Sequence, residues 1–347
     1  MERRSPVPLA AQVGARLKRG TPAKNGYDGS QQVVSTGSTL LDLAVSGGRF
    51  EQGGIPGGIL VEIFGPASSG KTVLLCEIAG AVQRQGGEVM FRDPEARLNK
   101  QFAALNGFEV ENALYDMPGT VGEMFAPVRK WEPKSDKVIN AVFADSLAAL
   151  STQMELDDGD KYGMRRAKEF SEECRKVCRV LTQRNILMVC SNQVRQNLDA
   201  GLYGEKYKSP GGEAIGFYSS LRLRCHSPRK IQVEKDVGSG KQKRVVGVET
   251  SIDVYKSSVW EPFRQATVNI VYGYGVDDVR GNLEFVKKTT GSTVYVVGDV
   301  RVGVSLERAV ARVEEQNLES DLKRQTIQLW REVEEKFRVH RSAKRRD

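Results

Sequence analysis

The sequence predicts an α/β fold with a mostly parallel central sheet. Between about residues 35 and 275, short apolar stretches alternate with long helical patterns. Alternation of this kind is typical of a parallel sheet covered by helices on both faces. Several apolar stretches also end in polar residues where a strand would leave the core. Because such strand ends meet at one edge of a parallel sheet, the same pattern predicts where a binding site lies.

Residues 1–34 precede this alternation and predict a short N-terminal helix–strand arm. Leu9, Val13 and Leu17 recur at every fourth position and give a basic helix one narrow apolar stripe. A helix with a single stripe cannot form its own core. We therefore expect the arm to dock on the body of its own chain or on a neighbouring subunit.

Residues 35–277 are predicted to form the core domain. Its first part contains strands at 58–65, 88–92, 139–145 and 185–192, with helices at 70–85 and 163–184. After residue 216 the strands become closely spaced, at 220–226, 229–236, 244–257 and 266–273. The turn sequence DVGSGKQ between two of them indicates a hairpin, so we expect an antiparallel extension of the sheet.

Residues 278–347 are predicted to form a small C-terminal α/β or helical domain. They begin with mixed polar sequence and continue into helical patterns at 304–316 and 318–338. The chain ends in the basic stretch HRSAKRRD.

Composition indicates a cytoplasmic protein with a polyanionic partner. The 347 residues carry a net charge of +8, which favours a partner such as nucleic acid. Five cysteines and two histidines give no recognisable zinc spacing, so reduced core thiols are expected. No run reaches the roughly 18 apolar residues of a membrane span, and no signal peptide opens the chain.

The stretch GPASSGKT predicts a phosphate-binding loop between a strand and a helix. Its backbone N–H groups can surround phosphates at the helix N-terminus, where the helix dipole favours anions. Lys71 can reach the β- and γ-phosphates, and the Thr72 hydroxyl can bind Mg²⁺. The predicted nucleotide-binding residues of the loop are Gly65, Pro66, Ala67, Ser68, Ser69, Gly70, Lys71 and Thr72.

Polar side chains at three further strand ends complete the predicted ATP site. Asp145 ends an apolar strand and is expected to hold the metal with Thr72, although an N-cap is the alternative. In FRDPEAR, Asp93 is expected to cap a helix that starts at Pro94, while Glu95 orients and deprotonates the attacking water. Asn192 and Gln193 end another strand, and the Gln193 amide is expected to sense the γ-phosphate, although a polar pair that bonds only the backbone is the alternative.

These elements resemble, in order and spacing, the RecA family of homologous recombinases. The resemblance covers roughly residues 30–278 and includes STGSTLLDLAVSGG, RDPEARLN, VFADSLAAL, NQVR and SPGGEAIGFYSSLRLR. It implies a RecA-like P-loop ATPase core that uses ATP and Mg²⁺. It also implies that the N-terminal arm packs on the adjacent protomer of a helical homo-oligomeric filament.

The resemblance implies further site residues. Asn99, Phe102 and Tyr272 match positions that contact the nucleotide base. Phe217 matches a phenylalanine at the interface between subunits, with a plain core phenylalanine as the alternative. Residues 155–166 and 194–210 match the two DNA-binding loops of the family, and the second shows no regular pattern of its own. The DNA-binding candidates in and beside these loops are Tyr162, Met164, Arg165, Arg166, Arg195, Leu198, Lys206, Lys208, Gly211 and Gly212. For the aliphatic and aromatic members, burial in a local core is the alternative.

Two departures from the family pattern bear on activity. The paired lysines that reach the γ-phosphate of the neighbouring subunit appear here as Lys256 and Ser258, so Lys256 alone is expected to be catalytic. The basic tail stands where bacterial members commonly carry an acidic one.

The sequence therefore predicts an ATP-dependent recombinase and DNA-dependent ATPase. It is expected to form filaments on single-stranded DNA and to pair that strand with a homologous duplex. Two alternatives remain at this point: a hexameric helicase-type motor of the same fold, and an ATP-binding regulatory paralogue with little turnover.

Overall fold

The computed structural model describes residues 32–152, 163–193, 195–196, 207–208, 214–238, 240–339 and 341. For residues 163–165, 195–196 and 207–208 it describes the backbone alone. The stripe residues Leu9, Val13 and Leu17 lie outside the described residues.

The described elements alternate as the sequence predicts. The elements up to the end of the core are, in chain order, β1 (Val33–Val34), α1 (Thr39–Ser46), β2 (Ile55–Pro56), β3 (Leu60–Gly65), α2 (Lys71–Arg84), β4 (Val89–Arg92), α3 (Lys100–Leu105), β5 (Leu114–Asp116), α4 (Val121–Lys130), β6 (Asn140–Ala144), α5 (Gly163–Arg184), β7 (Ile186–Gln193), β8 (Arg195–Gln196), β9 (Tyr207–Lys208), α6 (Ala214–Tyr218), β10 (Leu221–Cys225), β11 (Arg229–Asp236), β12 (Lys241–Ser257), β13 (Gln265–Val271) and β14 (Gly275–Val276). The elements that follow are α7 (Asp278–Thr290), β15 (Tyr295–Val297), β16 (Val300–Gly303), α8 (Leu306–Glu315) and α9 (Glu319–Phe337).

Ten strands of the described chain form one sheet, in the order β14–β13–β12–β10–β3–β7–β6–β4–β5, with β11 paired to β12. All neighbours from β10 to β5 are parallel. The strands beyond β10, including the β11–β12 hairpin, are antiparallel. The structure thus confirms the parallel centre and its antiparallel extension.

Two buried clusters cover the two faces of this sheet. In β3, Val61 and Ile63 pack with residues of α2, whereas Leu60 packs with residues of α4 and α5. Successive side chains of a strand point to opposite faces, so a strand buried on both sides is apolar along nearly its whole length. This explains the continuous apolar runs in the sequence.

The register of the parallel strands brings their carboxyl ends together. Gly65 lies opposite Gln193 in the β3–β7 pair, and Arg92 lies opposite Ala144 in the β4–β6 pair. The residues that follow these ends, including Asp93 and Asp145, therefore leave the sheet at the same edge.

One predicted helix start is wrong. The chain after Asp93 forms a turn, and helix α3 begins only at Lys100, with Asn99 as its N-cap. Ala96 adopts φ +53°, a left-handed conformation that a helix cannot contain. Because of this residue, Asp93 cannot begin a helix.

After residue 278 the chain forms three helices and one hairpin in its described part. Two of the helices, α8 and α9, fall where the helical patterns predict them, whereas α7 and the β15–β16 hairpin come from the stretch read as mixed polar sequence. A third buried cluster consists entirely of residues from this segment. Among the residues that the structure describes, no helix is long and apolar enough to cross a membrane.

Candidate nucleotide-binding site

The loop Gly65–Thr72 connects β3 to α2 and needs glycine at both ends. Gly70 has φ +87°, and a Cβ atom there would lie 2.2 Å from Cδ1 of Ile270. At Gly65 a Cβ would lie 2.4 Å from the carbonyl oxygen of Cys225. A larger residue at Gly65 would therefore collide with the backbone of β10, whereas at Gly70 it would meet the terminal methyl group of Ile270 in β13 and adopt a strained φ.

Lys71 is buried at the start of α2. Its Nζ donates to the carbonyl oxygens of Gly65, at 3.1 Å, and Pro66, at 2.7 Å. Burial disfavours the charged form and lowers the pKa of Lys71 below its ordinary value. An anion in the loop would supply the opposite charge that this ammonium lacks in its present contacts.

The Thr72 hydroxyl donates to Oδ2 of Asp145 at 2.6 Å. The Ser191 hydroxyl donates to the other carboxylate oxygen, Oδ1. Burial raises the pKa of Asp145 above its ordinary value, although both hydroxyl bonds oppose this shift. These hard oxygen donors beside a phosphate loop suit a divalent cation such as Mg²⁺, whose charge would stabilise the buried carboxylate.

The Asp93–Leu98 turn places Glu95 across from this pair. Oδ2 of Asp93 accepts hydrogen bonds from the backbone N–H groups of Arg97 and Leu98, at 2.9 and 2.8 Å. Oε1 of Glu95 accepts from the Ser146 hydroxyl at 2.7 Å and lies 3.5 Å from Nε2 of Gln193. Asp93 thus stabilises the turn that aims Glu95, although it caps no helix.

The loop, the turn and the strand ends enclose one cavity of about 680 Å³. Asn99 and the exposed rings of Phe102 and Tyr272, which the family resemblance assigns to contacts with the nucleotide base, are among the residues that line it. The other predicted residues that line it are Ala67, Ser68, Ser69, Gly70, Lys71, Thr72, Glu95, Asp145 and Gln193. Gly65 and Pro66 lie behind this lining and hold Lys71 instead.

Lys256 and Phe217 lie away from the cavity of their own chain. Nζ of Lys256 donates to the carbonyl oxygens of Gly216 and Phe217, at 2.9 and 2.8 Å. The Phe217 side chain is 72% exposed on α6. Neither of these two candidates is among the residues that line the cavity around Lys71.

The predicted DNA-binding residues are only partly described. Arg166 donates to the carbonyl oxygen of Ala148 at 2.8 Å and stacks on Phe170. Four candidates are described by their backbone alone: Met164 and Arg165 in α5, Arg195 in β8 and Lys208 in β9. The residues outside the described part are Tyr162, Leu198, Lys206, Gly211 and Gly212.

The stretch 194–210, in which the sequence shows no regular pattern, contains a short ladder near its ends. There β8 and β9 pair antiparallel, with Arg195 opposite Lys208. A two-residue ladder is too short to produce a recognisable sequence pattern.

The sequence analysis missed two serines that organise the site. Ser146 donates to Glu95, and Ser191 donates to Asp145. Each stands next to a predicted site residue at a strand end, which is the pattern that could have identified them. Tyr274 and Asn106, which also line the cavity, follow no such pattern.

Comparison with known proteins gives consistent matches. The family model described as the RecA N-terminal domain matches residues 15–277, which include every residue that lines the cavity. Protein RecA of Acholeplasma laidlawii is 28% identical over 339 residues, which cover 95% of this chain and 94% of the relative. Protein RecA of Thermus thermophilus, in two strains, is 34% identical over 309 residues, which cover 87% of this chain and 85% of the relative.

Proposed function

Because the chain belongs to the RecA family and is a RecA-type recombinase, we propose that it is a DNA-dependent ATPase of recombination and repair. It assembles as a helical filament on single-stranded DNA in the cytoplasm and exchanges that strand with a homologous duplex. The helicase-type motor and the regulatory paralogue are not favoured, since relatives named Protein RecA match most of the chain.

ATP binds with its phosphates in the Gly65–Thr72 loop and its base near Asn99, Phe102 and Tyr272. Lys71 exchanges its bonds to the loop carbonyls for phosphate oxygens. Thr72 and Asp145 would hold Mg²⁺, which when bound neutralises the charge of the phosphate oxygens. Asp145 is already oriented for this role by the hydroxyls of Thr72 and Ser191.

Glu95 acts as the general base of hydrolysis. It accepts a proton from water as the water oxygen attacks the γ-phosphorus, and ADP leaves. The Ser146 hydrogen bond restrains the carboxylate without neutralising it. Gln193, which is close to the same carboxylate, exchanges that contact for the γ-phosphate and reports its presence to residues 194–210.

Protomers meet with Lys256 and Phe217 of one against the ATP of the next. This arrangement is supported by the exposure of Phe217 and by the location of both residues away from the cavity of their own chain. The stripe of Leu9, Val13 and Leu17 docks on the neighbouring protomer. Residues of 155–166 and 194–212, Arg166 among them, contact the DNA backbone and stack on bases, so binding depends little on sequence.

The observation that carries this proposal is the convergence of Lys71, the Thr72–Asp145 pair and Glu95 on one cavity. The test is steady-state ATP hydrolysis with and without poly(dT) at modest salt. We expect strong stimulation by DNA. Hydrolysis that ignores DNA would indicate another ATPase activity of this fold. Tight ATP binding without any hydrolysis would indicate a regulatory protein.

A further inference from the structure

A buried ion pair lies between the nucleotide cavity and helix α6. Glu62, in the middle of the central strand β3, is completely buried. Its Oε2 accepts from Nε of Arg222 in β10 at 2.6 Å. Burying two charges costs the free energy of their hydration, so an ion pair in a core strand adds little to stability. Its presence there suggests another role.

The other oxygen of Glu62 connects the pair to the γ-phosphate sensor. Oε1 accepts from Nδ2 of Asn192, at 3.0 Å. Asn192 is fully buried, and its Oδ1 accepts from the backbone N–H of Gln193 at 3.1 Å. A displacement of Gln193 would therefore shift Asn192 and alter its hydrogen bond to the carboxylate of Glu62.

Arg222 connects the pair to α6 and Lys256. Its guanidinium lies 4.6 Å from the ring centre of Phe64 and 5.2 Å from that of Tyr255, which holds its plane in one orientation. A Cβ on Gly216 would lie 2.9 Å from Cζ of Arg222, so the guanidinium is in close contact with the backbone of α6.

Lys256 lies opposite Arg222 in the β10–β12 ladder, and its ammonium is bonded to the same turn of α6. Burial and the charge of Arg222 lower the pKa of Lys256. The position of Arg222 therefore affects both the backbone that carries Phe217 and the cation that is bonded to it.

We propose that Glu62 and Arg222 are positioning residues that couple the nucleotide cavity to the face of α6 carrying Phe217 and Lys256. The proposal rests on the proposed function, since it makes ATP in one protomer control the contacts that α6 of the same protomer makes with a neighbour. Spatial continuity alone does not transmit a change. The transmitting step is the shared carboxylate: when Asn192 moves with Gln193, the hydrogen bonds of Glu62 redistribute and the guanidinium moves against α6.

The first test compares the full-length protein with its Glu62→Gln variant. We expect the variant to bind ATPγS without DNA almost as the unmodified protein does. Its DNA-stimulated turnover should fall about tenfold, within the usual range of coupling effects, and its Hill coefficient for ATP should approach one. The matched control is Glu249→Gln, which removes a carboxylate that is paired with Arg229 on the same sheet. This control should leave the DNA-stimulated turnover and the Hill coefficient unchanged.

Gly216→Ala tests the same coupling without removing either charge, and it also serves if Glu62→Gln fails to fold. The added methyl group pushes on the Arg222 guanidinium, so we expect the same separation of binding from turnover. Unchanged DNA stimulation and Hill coefficient in the variants would overturn the proposal. A loss of ATPγS affinity equal to the loss of turnover would do so too, since it would indicate a merely structural pair.

A fluorescent reporter distinguishes failure of this coupling from failure of the proposed function. A Phe217→Trp reporter is titrated with ATPγS, and the signal of the unmodified protein, which has three tryptophans, is subtracted. We expect a nucleotide-dependent change in acrylamide quenching that disappears when Glu62→Gln is added. This readout needs neither DNA nor hydrolysis. A change that persists with Glu62→Gln, or no change at all, would overturn the coupling whatever the ATPase assay shows.

Discussion

Replacing Glu95 with glutamine should separate catalysis from nucleotide binding. Glutamine keeps the shape of the side chain and an oxygen that accepts from Ser146, but it cannot take a proton from water. Loss of a general base lowers turnover by about 10²- to 10⁴-fold, which corresponds to roughly 3–5 kcal/mol in the activation free energy. The ion pair that is also lost joins Glu95 to Arg97, whose side chain is 79% exposed, so stability should change by less than about 1 kcal/mol.

The assay measures turnover with poly(dT), the Kd for ATPγS, and urea unfolding of the same protein. Arg97→Ala is the matched control, because it removes the ion pair and keeps the carboxylate. We expect Glu95→Gln to abolish turnover at nearly unchanged Kd, and Arg97→Ala to retain most turnover. If nucleotide affinity falls as far as turnover in Glu95→Gln, Glu95 is a binding residue and its assignment as general base is refuted.

Two further predictions concern the phosphate loop and a buried carboxyl group. Gly70→Ala should destabilise the protein and weaken ATPγS binding at least tenfold, because the added methyl group meets Ile270. Gly86→Ala is the matched control, since Gly86 has a similar φ of +81° and a Cβ there would meet no atom within 4 Å. It measures the cost of the left-handed backbone alone, about 1 kcal/mol. Equal effects of the two in urea unfolding would refute the clash. Burial raises the pKa of Asp42 from its ordinary value of 3.8 to about 6. The charged carboxylate therefore lowers the free energy of unfolding by its full amount above pH 6. This destabilisation disappears as the pH falls toward 3.8, because the folded protein then holds the carboxyl group in its neutral form. Asp42→Asn should therefore be more stable than the unmodified protein at pH 7, and this advantage should shrink by about 1 kcal/mol at pH 5. A difference in unfolding free energy that does not vary with pH would contradict this.

The contacts that the sequence could predict are those set by strand ends and motif spacing. The loop Gly65–Thr72 needs a strand before it and a helix after it, and a parallel sheet brings the ends of β3, β4, β6 and β7 to one edge. Thr72 and Asp145 both follow strands that end at this edge, so the predicted topology already brings them close together. Their hydrogen bond follows from topology and needs no long-range information about packing.

Other features depend on backbone conformation or tertiary contacts that the sequence does not display. The sequence Asp93-Pro94-Glu95 predicts a helix start. Alanine does not signal a left-handed backbone, so the sequence gives no warning of the conformation of Ala96. The hydrogen bond from Asn192 to Glu62 joins side chains 130 positions apart. It exists because β3 and β7 are adjacent in the sheet.

The contacts of Lys256 and Ser258 show what each residue does where the family pattern has two lysines. The backbone N–H of Ser258 donates to the carbonyl oxygen of Ser220 at 2.7 Å, so this position extends the pairing of β12 with β10. Arg222 is a second cation near Lys256, but Glu62 balances its charge and the rings of Phe64 and Tyr255 restrain it. Lys256 is bonded to two neutral carbonyl oxygens of α6, which leaves its charge free to attract an anion. For its ammonium to reach a phosphate of a neighbouring protomer, those two bonds must break, so α6 controls the one lysine retained from the family pair.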